Sequence, residues 1–357
     1  MNLWVVLTSS IILSGMLCYF LIPTAWRLGL IDNPCQRKQH LGQVPLIGGL
    51  SVFFTTIIVF GFAFNLDLHL RLFILASSLM VAIGVLDDKF DLSVRLRIVA
   101  QLTVSGIIVF GADTYIRHLG NVFGLGNVEL GWFGVPFTLL AIMAAINAYN
   151  MIDGIDGLLG SMGIVSFSGI AVLAGGNGQT FAVAAATTII GALLPFWARN
   201  TGIPFKKARK IFMGDAGSMF IGLSVVWLLA LIIDPAQFND SGNAVRPVAV
   251  LWLIAIPLMD MLAIMVRRVL KGQSPFRPDR DHLHHIFMRA GFSPREALIC
   301  ITAKAVILAL FGIALEVWKV PESVVLLLYT IVFISYCLVL KFAWRFVSWV
   351  RTMRGIE

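Results

Sequence analysis

Eleven apolar stretches, each long enough to cross a bilayer, limit this chain to a membrane-embedded helical fold. A transmembrane helix needs about 20 mostly apolar residues. Such stretches run over 3–23, 46–64, 70–86, 96–112, 133–150, 158–174, 180–198, 216–233, 247–266, 297–317 and 324–343. The fifth and sixth are separated only by a short Asp- and Gly-bearing segment, where one long broken helix is the competing reading. Of the 357 residues 59% are hydrophobic and 13% charged, against about 25% charged in a soluble domain. A soluble enzyme, a disordered chain and a fibrous protein are excluded. The expected fold class is all-α: a polytopic membrane protein with about eleven transmembrane helices, forming a single domain over 1–357.

Orientation follows from the basic residues. The loops 26–45, 87–97, 199–214 and 267–296 and the tail 341–357 hold 22 of the 27 lysines and arginines. The opposite loops hold Arg71, Arg117, Arg246 and Lys319, and Lys304 lies within a span. Basic residues stay on the cytoplasmic side, so the N-terminus is expected in the periplasm and the C-terminus in the cytoplasm. The same argument explains the net charge of +8 without a nucleic-acid partner. The first stretch lacks a basic start and a small-residue cleavage site, and reads as a retained span. Cys18, Cys35, Cys300 and Cys337 are scattered, with no C-x-x-C, which argues against a disulfide framework or a zinc site.

The acids and histidines gather at the ends expected to face the cytoplasm: Asp87, Asp88, Asp91, Asp153, Asp156, Asp215, Asp279 and Asp281, with His40, His282, His284 and His285. Asp87-Asp88 closes the third span in L-D-D-K-F-D. Adjacent carboxylates repel, and a divalent cation or a nearby base relieves them; the ordinary alternative is a solvated helix end with Lys89 as counter-ion. In N-A-Y-N-M-I-D-G-I-D-G-L, Asn147, Asn150, Asp153 and Asp156 recur every third residue, and Gly154 and Gly157 let the chain bend and bring them together. Their oxygens are hard ligands suited to Mg²⁺. Asp215 stands in a Gly-Asp-Ala-Gly-Ser turn opening the eighth span, preceded by Lys206, Lys207, Arg209 and Lys210, most of which read as membrane anchoring.

The last inner loop, M-V-R-R-V-L-K-G-Q-S-P-F-R-P-D-R-D-H-L-H-H, carries Arg267 and Arg268 and three histidines. It lacks a third ligand at zinc-like spacing, whereas its many basic groups suit phosphate binding. Asp260 lies inside the ninth span. An ionisable group there is costly and usually functional, but it could equally be a structural partner for Lys304, the reading favoured here.

These motifs, with D-N-P-x-x-R-K-x-H (Asp32 to His40) and V-P-L-I-G-G, resemble those of the polyprenyl-phosphate N-acetylhexosamine-1-phosphate transferase family, in the same order over most of the chain. The match is closest to the members that take UDP-N-acetylglucosamine (UDP-GlcNAc) as donor and undecaprenyl phosphate as acceptor. Those members release UMP and start O-antigen and enterobacterial common antigen chains. The branch that uses UDP-MurNAc-pentapeptide is less similar: Leu283 interrupts what is there a run of three histidines. The resemblance implies an enzyme of the bacterial inner membrane whose cytoplasm-facing site holds Mg²⁺, with Mn²⁺ as an alternative. It places Asp87 and Asp88 near the lipid phosphate, Asn150 and Asp215 on the metal, and Asp153 and Asp156 near the nucleotide. Arg267, Arg268, His282, His284 and His285 would engage the diphosphate and sugar. Another UDP-N-acetylhexosamine donor and a homo-oligomeric state are both compatible with the sequence. A secondary transporter would instead carry its polar groups near the midplane, often in inverted repeats, and no repeat is visible.

Overall fold

The computed structural model describes residues 2–33, 42–203, 209–238, 242–274 and 282–353. Its helices are α1 (Leu3–Leu28), α2 (Gly48–Ala63), α3 (Leu68–Phe90), α4 (Val94–Gly111), α5 (Gly134–Ile152), α6 (Leu158–Gly176), α7 (Thr180–Thr201), α8 (Gly214–Ile233), α9 (Pro247–Val250), α10 (Ala255–Leu270), α11 (Leu283–Arg289), α12 (Pro294–Val317), α13 (Glu322–Lys341) and α14 (Ala343–Met353). A two-residue antiparallel pair, β1 (Ile31–Asp32) with β2 (Val44–Pro45), is the sheet among the described residues. Ten helical segments are long and apolar enough to cross a membrane, with α9 and α10 counted as one span, and α2 is a shorter apolar helix of 16 residues. All eleven expected stretches are therefore helical.

Helix α8 is the central pillar. It is mostly apolar all round, and all of its residues except Asp215 are buried, as expected for a helix surrounded by others. Helices α2, α3, α5, α6 and α7 pack around it, while only a minority of the residues of α1, α12 and α13 are buried. The apolar interior between α3 and α8 centres on Phe73 stacked on Trp227, ring centroids 4.0 Å apart. Small residues let helix backbones approach closely in membranes. At Gly84 the α3 backbone lies so close to Ala216 of α8 that a Cβ would collide with it. One turn further along α3 stands Asp88, so this contact fixes how the paired aspartates meet the start of α8.

Two departures from the expected spans have local causes. The stretch over 247–266 is interrupted by a 3₁₀ turn at Leu251–Ile254. Pro257 has no N–H for the Leu253 carbonyl, which accepts instead from the Ser166 hydroxyl of α6 at 2.9 Å. Ser166 in turn contacts the Tyr149 hydroxyl of α5 at 2.6 Å. The final apolar stretch ends earlier than its hydropathy indicates, at Lys341, and α14 begins two residues later as a separate helix packed against α11. Its basic residues Arg345 and Arg351 kept it out of the apolar pattern.

Candidate active site

The paired aspartates end α3 against the start of α8. The N-cap of α8, Met213, offers no side-chain acceptor, so the first amides of the helix need one from elsewhere. Asp88 supplies it: the Asp215 N–H donates to Oδ1 at 2.8 Å and the Ala216 N–H to Oδ2 at 3.3 Å. Asp87 is buried, accepting the Leu92 N–H at 2.8 Å and pairing with Arg97 of α4 at 3.2 Å. Asp215, in the first turn of α8, accepts from Asn150 Nδ2 of α5 at 2.7 Å, and the same Nδ2 donates to Ser218 Oγ at 2.9 Å. The turn before α8 is fastened by the V-P-L-I-G-G segment. Phe212 N–H donates to the Pro45 carbonyl, while Gly48 and Gly49 N–H donate to the carbonyls of Phe212 and Met213, at 2.9–3.0 Å.

The four polar residues spaced by three do not converge. Asn147 turns to α4, donating to Gln101 Oε1 at 2.8 Å and to its own helix at Met143, because successive positions three apart drift around a helix face. Asn150 alone of the four meets Asp215. Asp153 ends α5 and is exposed. Asp156 pairs with Lys210 at 2.6 Å on the surface, a contact worth little in water. The bend between α5 and α6 is held by Asn200 of α7, which accepts from the Gly157 N–H at 2.5 Å and donates to the Ile211 carbonyl at 2.9 Å.

Helix α11 carries the histidines onto this bend. His284 is buried, and its imidazole sits so close to Gly154 that a Cβ there would overlap it. Neither ring nitrogen has a hydrogen-bond partner among the described residues. His282 lies parallel to it with centroids 5.8 Å apart, and His285 is tilted against it at 4.1 Å. Arg267 and Arg268 lie in the last turn of α10, the latter buried. Asp260 does not meet Lys304. Its Oδ2 faces His282 Nδ1 at 2.9 Å, and its Oδ1 accepts the Leu283 N–H at 3.1 Å and the Tyr336 hydroxyl at 2.6 Å. Lys304 sits over the Tyr336 ring instead, 5.2 Å from its centroid. His40, Lys206, Lys207, Asp279 and Asp281 lie outside the described residues.

Burial, aided by the neighbouring His285 and His282, pushes the His284 pKa down from 6.5 to about 3. The unfolded chain therefore binds more protons across that interval. Stability from this group is complete above its unfolded pKa and is lost as pH falls toward the folded one. Between about pH 7 and about pH 5 the melting temperature, followed by tryptophan fluorescence in detergent, is expected to fall. His284→Gln should flatten that slope, and equal slopes in both proteins would contradict the assignment.

Arg97, Gln101, Asn200 and Ser218 escaped the sequence reading. Of these, Ser218 carried a signal, since it follows Asp215 by three residues in the Gly-Asp-Ala-Gly-Ser turn. The partners of Asp87 and Asn147 come from another helix, which spacing along one helix does not reveal.

A model of glycosyl transferase family 4 matches residues 70–233. The undecaprenyl-phosphate alpha-N-acetylglucosaminyl 1-phosphate transferase of Escherichia coli (strain K12) is 41% identical to the chain, covering 99% of this chain and 96% of its own length. Proteins of the same name from Salmonella typhi and Haemophilus influenzae are each 41% identical, over 92% and 93% of this chain. The chain belongs to glycosyl transferase family 4. The family match opens near the start of α3 and closes at the end of α8, so it takes in Asp87, Asp88, Asn150, Asp153, Asp156 and Asp215. Asp260 and the histidine helix lie beyond it, within the stretch shared with the full-length relatives.

The residues at the start of α8 fit a divalent cation by their chemistry. Asp87, Asp88 and Asp215 stand within electrostatic reach of one another, and among the described residues Arg97 is the cation paired with them. No group of three or more His, Cys, Asp or Glu among the described residues is spaced to enclose a metal unaided. That suits Mg²⁺, which commonly takes one or two carboxylates and completes its shell with water and substrate phosphates.

Proposed function

We propose that the chain transfers N-acetylglucosamine 1-phosphate from UDP-GlcNAc to undecaprenyl phosphate, forming undecaprenyl-diphosphate-GlcNAc and UMP. The observation that carries this reading is the junction of α3, α5 and α8, where Asp215 is held by Asn150 and by the Asp88 cap at one end of the helix bundle. The names and near-full-length similarity of the relatives support the donor and the acceptor. An acceptor whose polyprenyl tail stays in lipid can present its head to a water-soluble nucleotide sugar only at the membrane surface, where these groups would meet both.

In this reading an oxygen of the lipid phosphate attacks the β-phosphorus of UDP-GlcNAc, and UMP departs. A phosphate monoester has its second pKa near 6, so the acceptor is already largely dianionic at neutral pH. It needs orientation rather than a strong base. Asp87 and Asp88 supply order: one fixes Arg97 and the turn after α3, the other fixes the first turn of α8. A phospho-aspartate at either would have to break those hydrogen bonds, which favours direct attack. Asp215 and Asn150 would hold Mg²⁺, with Mn²⁺ as an alternative, and the bound cation would neutralise charge on the transferring phosphates. The histidines of α11, with Arg267 and Arg268, would offer donors to the diphosphate and sugar, while Asp153 and Asp156 border the same bend near the nucleotide.

The test is a donor panel. Purified protein with undecaprenyl phosphate and Mg²⁺ should release UMP from UDP-GlcNAc and not from UDP-MurNAc-pentapeptide. Absence of UMP with every donor would overturn the reaction, and comparable turnover of both would overturn the donor assignment. The site is proposed to face the cytoplasm of a bacterial inner membrane, from the skew of the basic residues. Single cysteines at Gly126 and Gln273, in a background without the native four, should label from outside whole cells at 126 only; the reverse pattern would invert the topology.

A further inference from the structure

Asp260 is a carboxylate to which the proposed reaction gives no part. It lies on α10 at 2% exposure, and burying a charge there is costly unless it is paired and fully hydrogen-bonded. Its oxygens meet three groups on two elements: His282 Nδ1 and the Leu283 N–H, both at the start of α11, and the Tyr336 hydroxyl of α13. A helix start needs only a neutral acceptor such as Asn or Ser. The carboxylate differs from these in being an acceptor at both oxygens. It therefore requires that Nδ1 of His282 carry the hydrogen.

We infer that Asp260 is a positioning residue for donor binding. It fixes the rotation of the His282 ring and commits Nδ1–H to α10, so that Nε2 is the nitrogen that meets the nucleotide sugar. Two further contacts hold the arrangement rigid. Tyr336 props Asp260 from α13, and the parallel His284 ring backs His282 on one face. His284 in turn rests on Gly154, four residues beyond Asn150. The chain of contacts thus runs from inside the ninth span to the end of the helix that carries the proposed metal ligand. The inference rests on the reading above, in which His282 binds the donor.

Asp260→Asn separates the two roles a buried acid can play. Its remaining carbonyl oxygen can still accept from Leu283 and Tyr336, while its amide turns a donor toward His282 and drives the ring into the other tautomer. The expected result is a KM for UDP-GlcNAc, and a calorimetric dissociation constant for it, raised roughly tenfold, the worth of one hydrogen bond to a charged group. The KM for undecaprenyl phosphate and the melting temperature should stay unchanged. In a His282→Asn background, which keeps an N–H toward Asp260 but lacks the far ring nitrogen, Asp260→Asn should cost nothing more. Equal losses in both backgrounds, or an unchanged KM for UDP-GlcNAc, would overturn the inference. Should Asp260→Asn fail to accumulate in the membrane, His282→Asn decides: it should accumulate normally and lose donor affinity, and retained affinity would overturn the inference. Wild-type protein that releases no UMP would sink the underlying reaction instead, so the two failures are distinguishable.

Discussion

Asp215→Asn is expected to reduce transfer by more than about 100-fold while leaving membrane insertion and helix packing intact. Changes to groups that merely support a metal ligand typically cost 10–100-fold, and Asp215 is proposed as the ligand itself. The substitution keeps the side-chain volume and removes a negative charge from a site where Asn150 already donates to Oδ1. The loss should therefore be chemical and not structural. UMP release per folded molecule, measured over a range of Mg²⁺ concentrations, reads it out. Wild-type activity with an unchanged Mg²⁺ dependence would show that Asp215 does not hold the cation.

Asp88→Asn is expected to lower kcat by about two orders of magnitude through a different route. Both oxygens of Asp88 receive amides from the first turn of α8. In the variant one of them becomes an NH₂ group facing an N–H, and an unsatisfied buried donor costs about 1–3 kcal/mol. Relief requires the helix start to shift, and Asp215 moves with it. An interaction that matters mainly in the transition state lowers kcat and spares ground-state binding. Calorimetric binding of UDP-GlcNAc should therefore change little. Abolished UDP-GlcNAc binding would contradict this division of labour, and so would unchanged kcat.

The membrane spans were legible because an apolar helix announces itself by length and composition, and nothing in the packing moves those limits far. Helix α14 was not, since an amphipathic helix with Arg345 and Arg351 lacks that signal. The gathering of Asp88, Asn150 and Asp215 was legible as separate motifs bound for one face. Their contacts were not, because each joins residues more than 60 positions apart. Asn147 shows the limit of periodicity: the spacing that aligns it with Asn150 on paper turns it toward Gln101 in space. Asp260 shows another. Lys304 was its expected partner by charge, yet three hydrogen-bond donors met its oxygens more completely than one ammonium would. Gly84 and Gly154 look alike in sequence to many other glycines in this chain, and only the neighbouring helix gives them meaning.

The central claim is that the sugar moves together with its phosphate. UDP-GlcNAc carrying ³²P at the β-phosphorus, mixed with the purified protein, undecaprenyl phosphate and Mg²⁺, tests it most directly. The account predicts that the label passes into the lipid fraction while unlabelled UMP appears in the aqueous phase in equal amount. Label remaining in the aqueous phase as UDP, with the sugar alone transferred to lipid, would contradict it.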